Sequence, residues 1–492
     1  MLRLKDLTML SSPVESDRLP IAPVLTVRRE AAALLRLAAP LIGAQLAQIS
    51  MNLVDTVMAG QLGAQALAAV AVGSNAWMPI FCIGLGIIMS VTPTVAHLYG
   101  AQRRDEIGEV VRQGVWLSLA LTPFSILILE WVPTLLAAFR VDPAIAPTAA
   151  AYVRALVWGF PALMTWNVLR AFSEGIGRTQ PIMWISLVSL PFNAVGNYTL
   201  MYGVAGFPRL GAIGCGYASA ATMWFMLLLF VLWIRLDPAY RPYRFFARFS
   251  RPDFRQLSEL VAIGLPIGFS IFMEGGMFCT VGLMMGQLGV VSAAANQIAL
   301  NVASVTFMVP LGVAMAVTVR VGQALGRNEP RAARRTGWVG NILCVGFMSL
   351  SAVLMACFPQ AIARWYTHDS AVLAVVGELL LLAALFQVFD GLQVSGAGAL
   401  RGLKDTQVPM LITFVAYWLL GLPLAIWLGL HQGIGPRGFW TGLILGLIAA
   451  ATLLNLRFYR QTARLIQAHP PQDLPLHQIE DSDGIPARQV QV

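Results

Sequence analysis

Three carboxylates lie within long apolar stretches: Asp55 in Asn52-Leu-Val-Asp55-Thr56, Glu274 in Phe-Met-Glu274-Gly-Gly-Met, and Asp390 just before Gly391. An ionisable group inside a bilayer costs several kcal/mol unless it faces a cavity or a partner, so position matters more than number. No basic residue stands near Glu274 in the sequence, and the paired glycines after it allow a close neighbour or a local helix break. Such a carboxyl can carry a proton or, with neutral oxygen ligands, hold a sodium ion. Asp390 shares its segment with Gln387 and Gln393. Asn193 and Asn197 stand four residues apart and so on one helical face, where amide oxygens beside a carboxylate suit a hard cation such as Na+. The structural alternatives are a salt bridge or interhelical hydrogen bond for the acids, and polar glue between helices for the asparagines.

Other chemistries find no support. The only lysines are Lys5 and Lys404, and neither closes a Gly-x-x-x-x-Gly-Lys-[Ser/Thr] phosphate loop, so the chain encodes no ATPase. No converging nucleophile, base or metal ligands mark an enzyme. The five cysteines (Cys82, Cys215, Cys279, Cys344, Cys357) lack Cys-x-x-Cys spacing and read as buried small hydrophobes, with no zinc site, disulfide or cofactor. His97 and His368 near segment ends, and His431 in a short loop, are given no role; Glu130 and Glu378 fall nearer predicted outer ends.

The elements that must position these residues are membrane helices. Of 492 residues 57% are hydrophobic and 12% charged, against about 45–50% and about 25% in soluble domains, which excludes a soluble protein. Hydropathy predicts twelve spans, at roughly 34–58, 65–99, 110–136, 148–171, 178–202, 210–235, 256–285, 292–322, 333–358, 372–398, 407–430 and 436–459. Residues 1–33 and 463–492 read as cytosolic tails, not as a signal peptide. With the N-terminus inside, all of the 33 lysines and arginines except Arg140, Arg154, Arg209, Arg364 and Arg437 fall on inner flanks or tails. The positive-inside rule then places both termini in the cytoplasm. The net charge of +9 is accounted for by topology, with contact to anionic lipid as its secondary reading and no nucleic acid implied.

The chain also repeats itself. At a shift of 226 residues Pro40 falls on Pro266, Gly60-Gln-Leu-Gly63 on Gly286-Gln-Leu-Gly289, Asn75 on Asn301, and Gly100 on Gly326. At 227, Thr179-Gln180 falls on Thr406-Gln407. This predicts an all-α integral membrane protein of two six-helix lobes in parallel repeat, an N-lobe at 34–235 and a C-lobe at 256–462, joined by a basic cytosolic linker at 236–255. Rigid lobes of that kind can enclose a cavity and rock around it.

These residues resemble the multidrug and toxic compound extrusion (MATE) family, in its NorM-like branch. The likeness rests on Asn52-Leu-Val-Asp55-Thr-Val-Met-Ala-Gly60-Gln-Leu-Gly63, on Thr92-Pro-Thr-Val-Ala-His-Leu-Tyr-Gly100, on Glu274, on Pro310 to Gly326, and on Asp390 to Asp405. It implies a V-shaped pair of lobes in a bacterial inner membrane, a monomer among lipids, exporting cationic amphipathic drugs in exchange for Na+ or H+. It places coupling carboxylates at Glu274 and Asp390, an N-lobe acid at Asp55, and a helping asparagine pair at Asn193 and Asn197. Ser219 stands where relatives often have threonine, and Phe386 where some have tyrosine. A lipid-linked glycan flippase is the alternative, and would need basic residues inside the spans.

Overall fold

The structure, a computed structural model, describes residues 27–138, 141–204, 206–248 and 250–468. The expected tails over 1–26 and 469–492, with Lys5, and the outer-flank Arg140 lie outside the described residues. The first half of the chain forms α1 (Val27–Gln61), α2 (Ala64–Ile88), α3 (Val91–Gly100), α4 (Arg104–Leu129), α5 (Val132–Ala138), α6 (Ala146–Val157), α7 (Phe160–Gly175), α8 (Gln180–Tyr202) and α9 (Ala212–Leu236). The second forms α10 (Phe254–Gln287), α11 (Val290–Gly326), α12 (Pro330–Cys357), α13 (Pro359–Arg364), α14 (Ser370–Gly402), α15 (Gln407–Phe414), a π-helical stretch Val415–Gly421, α16 (Leu422–Ile426), a second π-helical stretch Trp427–His431, and α17 (Pro436–Ala468).

Ten helical stretches are long and apolar enough to cross a bilayer among the described residues. The protein is an all-α, multi-pass membrane fold. The two remaining expected segments are helical but more polar: α6 and α7 break at Trp158–Gly159 and carry Arg154 and Arg170, and α8 carries Ser186, Ser189, Asn193 and Asn197. At the N-terminus the first helix begins at Val27, before the expected start at 34. Its extra turn is stabilised because the carboxylate of buried Glu30 accepts from Arg320 Nε and Nη2 and from Thr336 Oγ1, each at 2.7 Å. The last helix likewise runs on to Ala468.

One core gathers around Trp166, Phe160, Phe172 and Phe230 in the first half, and another around Trp440, Tyr417, Phe439 and Phe386 in the second. A third joins Leu34 and Ala38 of α1 to Val313, Val317 and Phe458. The repeat is written into the backbone. Gly63 and Gly289 share left-handed φ values of 119° and 109°, as do Gln102 and Asn328 at 60° and 58°. Across the two halves α1 and α3 pack on α11, and α2 on α10. This packing is tight at Gly268, where a β-carbon would lie 2.8 Å from the Ile83 carbonyl oxygen. By contrast, β-carbons on Gly63, Gly275, Gly282 and Gly286 would meet nothing within 4 Å among the described residues.

The connection between them is docked on the first half. Phe172 stacks edge-on against Tyr240 and Tyr243 of a short 3-10 turn (Pro238–Tyr243), with centroids 5.6 Å and 5.4 Å apart. Arg112 of α4 donates to the Arg244 and Phe245 carbonyls, Trp116 Nε1 to Ser250 O at 2.8 Å, and Gln113 Nε2 to Arg251 O at 2.8 Å. Gln113 Oε1 also accepts from the Asp253 backbone N–H at 2.9 Å, one residue before α10.

Candidate functional site

Helices α1, α8 and α9 bring Asp55, Asn193, Asn197 and Ser219 together. Asn197 Nδ2 donates to Asp55 Oδ1 at 2.5 Å and to Asn193 Oδ1 at 3.2 Å, and Ser219 Oγ donates to Asp55 Oδ2 at 3.3 Å. The register is held from outside the cluster, where Tyr202 Oη donates to Met58 O at 3.2 Å and pairs with Gln61 Oε1 at 2.9 Å. Asn193 and Asn197 are buried, and Asn197 Oδ1 has no hydrogen-bond partner among the described residues. A buried amide oxygen without a donor, a carboxylate, a second amide and a hydroxyl are oxygen donors of the kind that a hard cation takes. No group of three or more histidine, cysteine or acidic side chains able to hold a metal occurs among the described residues.

Glu274 lies elsewhere, on the wall of a partly open cavity of about 290 Å³ between the halves. The polar lining includes Gln45, Asn167, Arg170, Glu174 and Arg401 besides Glu274, and apolar side chains such as Phe307 and Met315 supply much of the remainder. Glu274 has no ion-pair partner within 4 Å among the described residues. Asp390 is buried in α14 and does not line the cavity, although Gln393, on the same helix, does. It lies within electrostatic reach of Glu274. The structure therefore makes two clusters, Asp55 with the asparagines in the first half and Glu274 with Asp390 in the second.

Tyr417, Trp418 and Thr306 escaped the sequence reading. Tyr417, in the first π-helical stretch, stands within electrostatic reach of both Glu274 and Asp390, and its buried hydroxyl has no partner among the described residues. Wide turns of this kind recur at functional sites. Trp418 Nε1 anchors the same stretch to Met273 O at 3.1 Å. Gln387 donates to Thr306, and the side-chain oxygens of Gln387 and Gln393 are also unpartnered among the described residues.

One assignment, that of the cysteines, needs correction, and two arginines have a further place. Arg170 and Arg401, expected on inner flanks, line the cavity. Arg170 is tolerated there because Glu174, one turn on, holds its Nε at 2.8 Å, and Gln45 accepts from its Nη2 at 3.0 Å; Arg401 lies in the field of Glu274 and Glu174. Cys279 and Cys357 are exposed on helix faces, while Cys82, Cys215 and Cys344 are buried and all five are free thiols. Phe386 packs between Phe278 and Trp440, at centroid distances of 6.0 Å and 5.7 Å. Glu130 and Glu378 pair with Arg154 and Arg437 at exposed positions.

The sequence pattern of the MatE family matches twice, at residues 40–199 and 266–427. The chain belongs to the MATE family. The two matches of this MATE chain open at Pro40 and Pro266, the register of the internal repeat. It is 45% identical over 433 residues to the probable multidrug resistance protein NorM of Xanthomonas axonopodis pv. citri, covering 88% of this chain and 94% of that one. It is 41% identical over 461 residues to multidrug resistance protein PmpM of Pseudomonas aeruginosa, covering 93% and 97%. The crystal structure of the eukaryotic MATE transporter AtDTX14 shares the fold with a TM-score of 0.82 at 20% identity, over 90% of this chain and 99% of that one.

Proposed function

We propose that this MATE chain is a secondary multidrug efflux antiporter that exports amphipathic cations in exchange for Na+ or H+ by alternating access. The observation that carries the reading is the cavity between the halves, with Glu274 on a largely apolar wall and without an ion-pair partner among the described residues. A greasy cation gains dispersion from methionine and aromatic side chains there, and charge from the carboxylate. Binding of the coupling ion or a proton at Glu274 competes for that same charge, which supplies the differential affinity that exchange requires. Asp390 and Tyr417 form the buried half of this site, and the Asp55, Asn193, Asn197 and Ser219 oxygens form a second cation site in the first half.

In this reading α6 with α7, and α8, supply the eleventh and twelfth spans. The lobes are residues 34–235 and 256–462, splayed as a V around the linker at 236–255. Both termini face the cytoplasm of a bacterial inner membrane, the convergent end faces inward, and a monomer among lipids is the working unit. The cavity does not suit a pyrophosphate-linked glycan. Its two arginines, Arg170 and Arg401, face three carboxylates, Glu174, Glu274 and Asp405, so positive charge is not in excess.

Export of a fluorescent cation from proteoliposomes, driven separately by a Na+ gradient and a pH gradient, tests the proposal. Glu274→Gln and Asp390→Asn should each abolish drive while the protein stays folded. Wild-type rates in either variant would remove that residue from the coupling machinery.

A further inference from the structure

Between the halves, His97 Nε2 lies 2.8 Å from the Gly402 carbonyl oxygen, and Gln323 Nε2 donates to the Gly175 carbonyl oxygen at 2.9 Å. Because a carbonyl only accepts, His97 carries its proton on Nε2 in this contact. Each bond joins one half of the chain to the other. The four residues are also repeat mates: His97 and Gln323 are 226 residues apart, and Gly175 and Gly402 are 227 apart. The two bonds are thus one contact made twice about the pseudo-two-fold axis. We infer that His97 and Gln323, each donating to the helix-end glycine carbonyl of the opposite half, are positioning residues of the transport cycle that hold the cavity shut on the cytoplasmic side.

The surroundings fit a contact that must form and break. Gly100 and Gly326, themselves repeat mates, bring the α3 and α11 ends against each other, Gly100 onto the Gln323 backbone and Gly326 onto His97. Gly175 and Gly402 lack side chains that would hold the donors away, and a β-carbon there would crowd Val95 at 2.6 Å or the Thr318 carbonyl oxygen at 2.8 Å. Glu174 and Arg401, also repeat mates, precede the two acceptor glycines, lie within each other's electrostatic reach and line the cavity floor. The closed end therefore adjoins the ligand space. Backbone carbonyls as acceptors make the contact dependent on the register of two helix ends, so a small rotation of one half releases both bonds together.

The inference rests on the alternating-access reading, and the test separates the two. Hydrogen–deuterium exchange by mass spectrometry is measured on the full chain in nanodiscs, alongside gradient-driven flux. His97→Leu with Gln323→Leu removes both donors; at about a factor of five per bond, the closed-to-open ratio should fall about 25-fold. Segments 98–106 and 324–331 should then exchange faster, and the outer turns at 60–66 and 286–292 slower. His97→Leu alone should give about a fivefold shift. His97→Gln, which copies the repeat mate and keeps an N–H donor, should restore the wild-type pattern. Unchanged exchange, acceleration at both ends, or failure of His97→Gln to restore the pattern would overturn the latch. Absence of drive by either gradient in the wild-type protein would sink antiport without altering the exchange comparison.

Discussion

Removing the carboxylate of Glu30 should destabilise the protein far more than its place beside a polar N-terminal segment suggests. Glu30 is 2% exposed and accepts three hydrogen bonds of 2.7 Å, two from Arg320 and one from Thr336, tying the start of α1 to α11 and α12. Breaking a buried ion pair by deleting one partner costs about 3–5 kcal/mol, because the remaining charge is left uncompensated. Arg320 keeps 19% of its side chain exposed, so water relieves part of that penalty and about 3 kcal/mol is the expected loss for Glu30→Gln or Arg320→Met. Replacing both by apolar residues, Glu30→Leu with Arg320→Met, removes the pair together and leaves chiefly the buried Thr336 hydroxyl without its acceptor, so it should cost about 1–2 kcal/mol. Denaturant titration in mixed micelles, followed by tryptophan fluorescence, gives the four stabilities of the cycle. A double variant as destabilised as the sum of the singles would show no coupling and refute the reasoning.

Asp55→Asn removes the one formal charge of the first-half cluster, so equilibrium binding of radioactive Na+ to purified protein should weaken by at least about tenfold; undiminished binding would place the ion elsewhere. Tyr240→Phe deletes a 2.6 Å hydrogen bond with Ser173 Oγ and should cost about 1 kcal/mol near neutral pH. Burial pushes the Tyr240 phenol up to about 12. Its contribution is therefore complete below its ordinary value of about 10 and is lost as pH rises from there through about 12. Wild type should therefore lose its advantage over Tyr240→Phe as pH rises through that window and fall below it toward the upper end, and a constant difference would remove the phenol from the linker's anchorage.

What the sequence disclosed follows the range of each signal. Periodic hydrophobicity is local, so most helix positions were legible to within several residues, the outer ends at Val27 and Ala468 excepted. The error at the start of α1 arose because Glu30, which reads as solvated, finds Arg320 only after folding. Asn193 and Asn197 were readable as a pair because they share one helix, whereas their meeting with Asp55 and Ser219 depends on how three helices pack. Arg170 could have been recognised as neutralised from Glu174 four residues on. Arg401 could not be recognised from Glu274 and Glu174, in whose field it lies, since both belong to distant segments. Tyr417 had no pattern to mark it: its role comes from a widened turn and from the carboxylates across the bundle.

The anchoring of the connecting segment bears on how the halves can move. Its contacts with α4 continue to the Asp253 backbone, so the chain enters α10 directly from a docked position, with Asp253 Oδ1 capping the Arg255 N–H at 2.9 Å. A tether without slack permits little sliding at that corner. In the proposed alternating access, motion at that corner would be a pivot, as on a door whose hinge stile is fixed, with displacement growing with distance from it. The same few degrees of swing that barely disturb residues 250–254 would open the opposite rim widely, so a single covalent crossing can set the axis about which the whole molecule works.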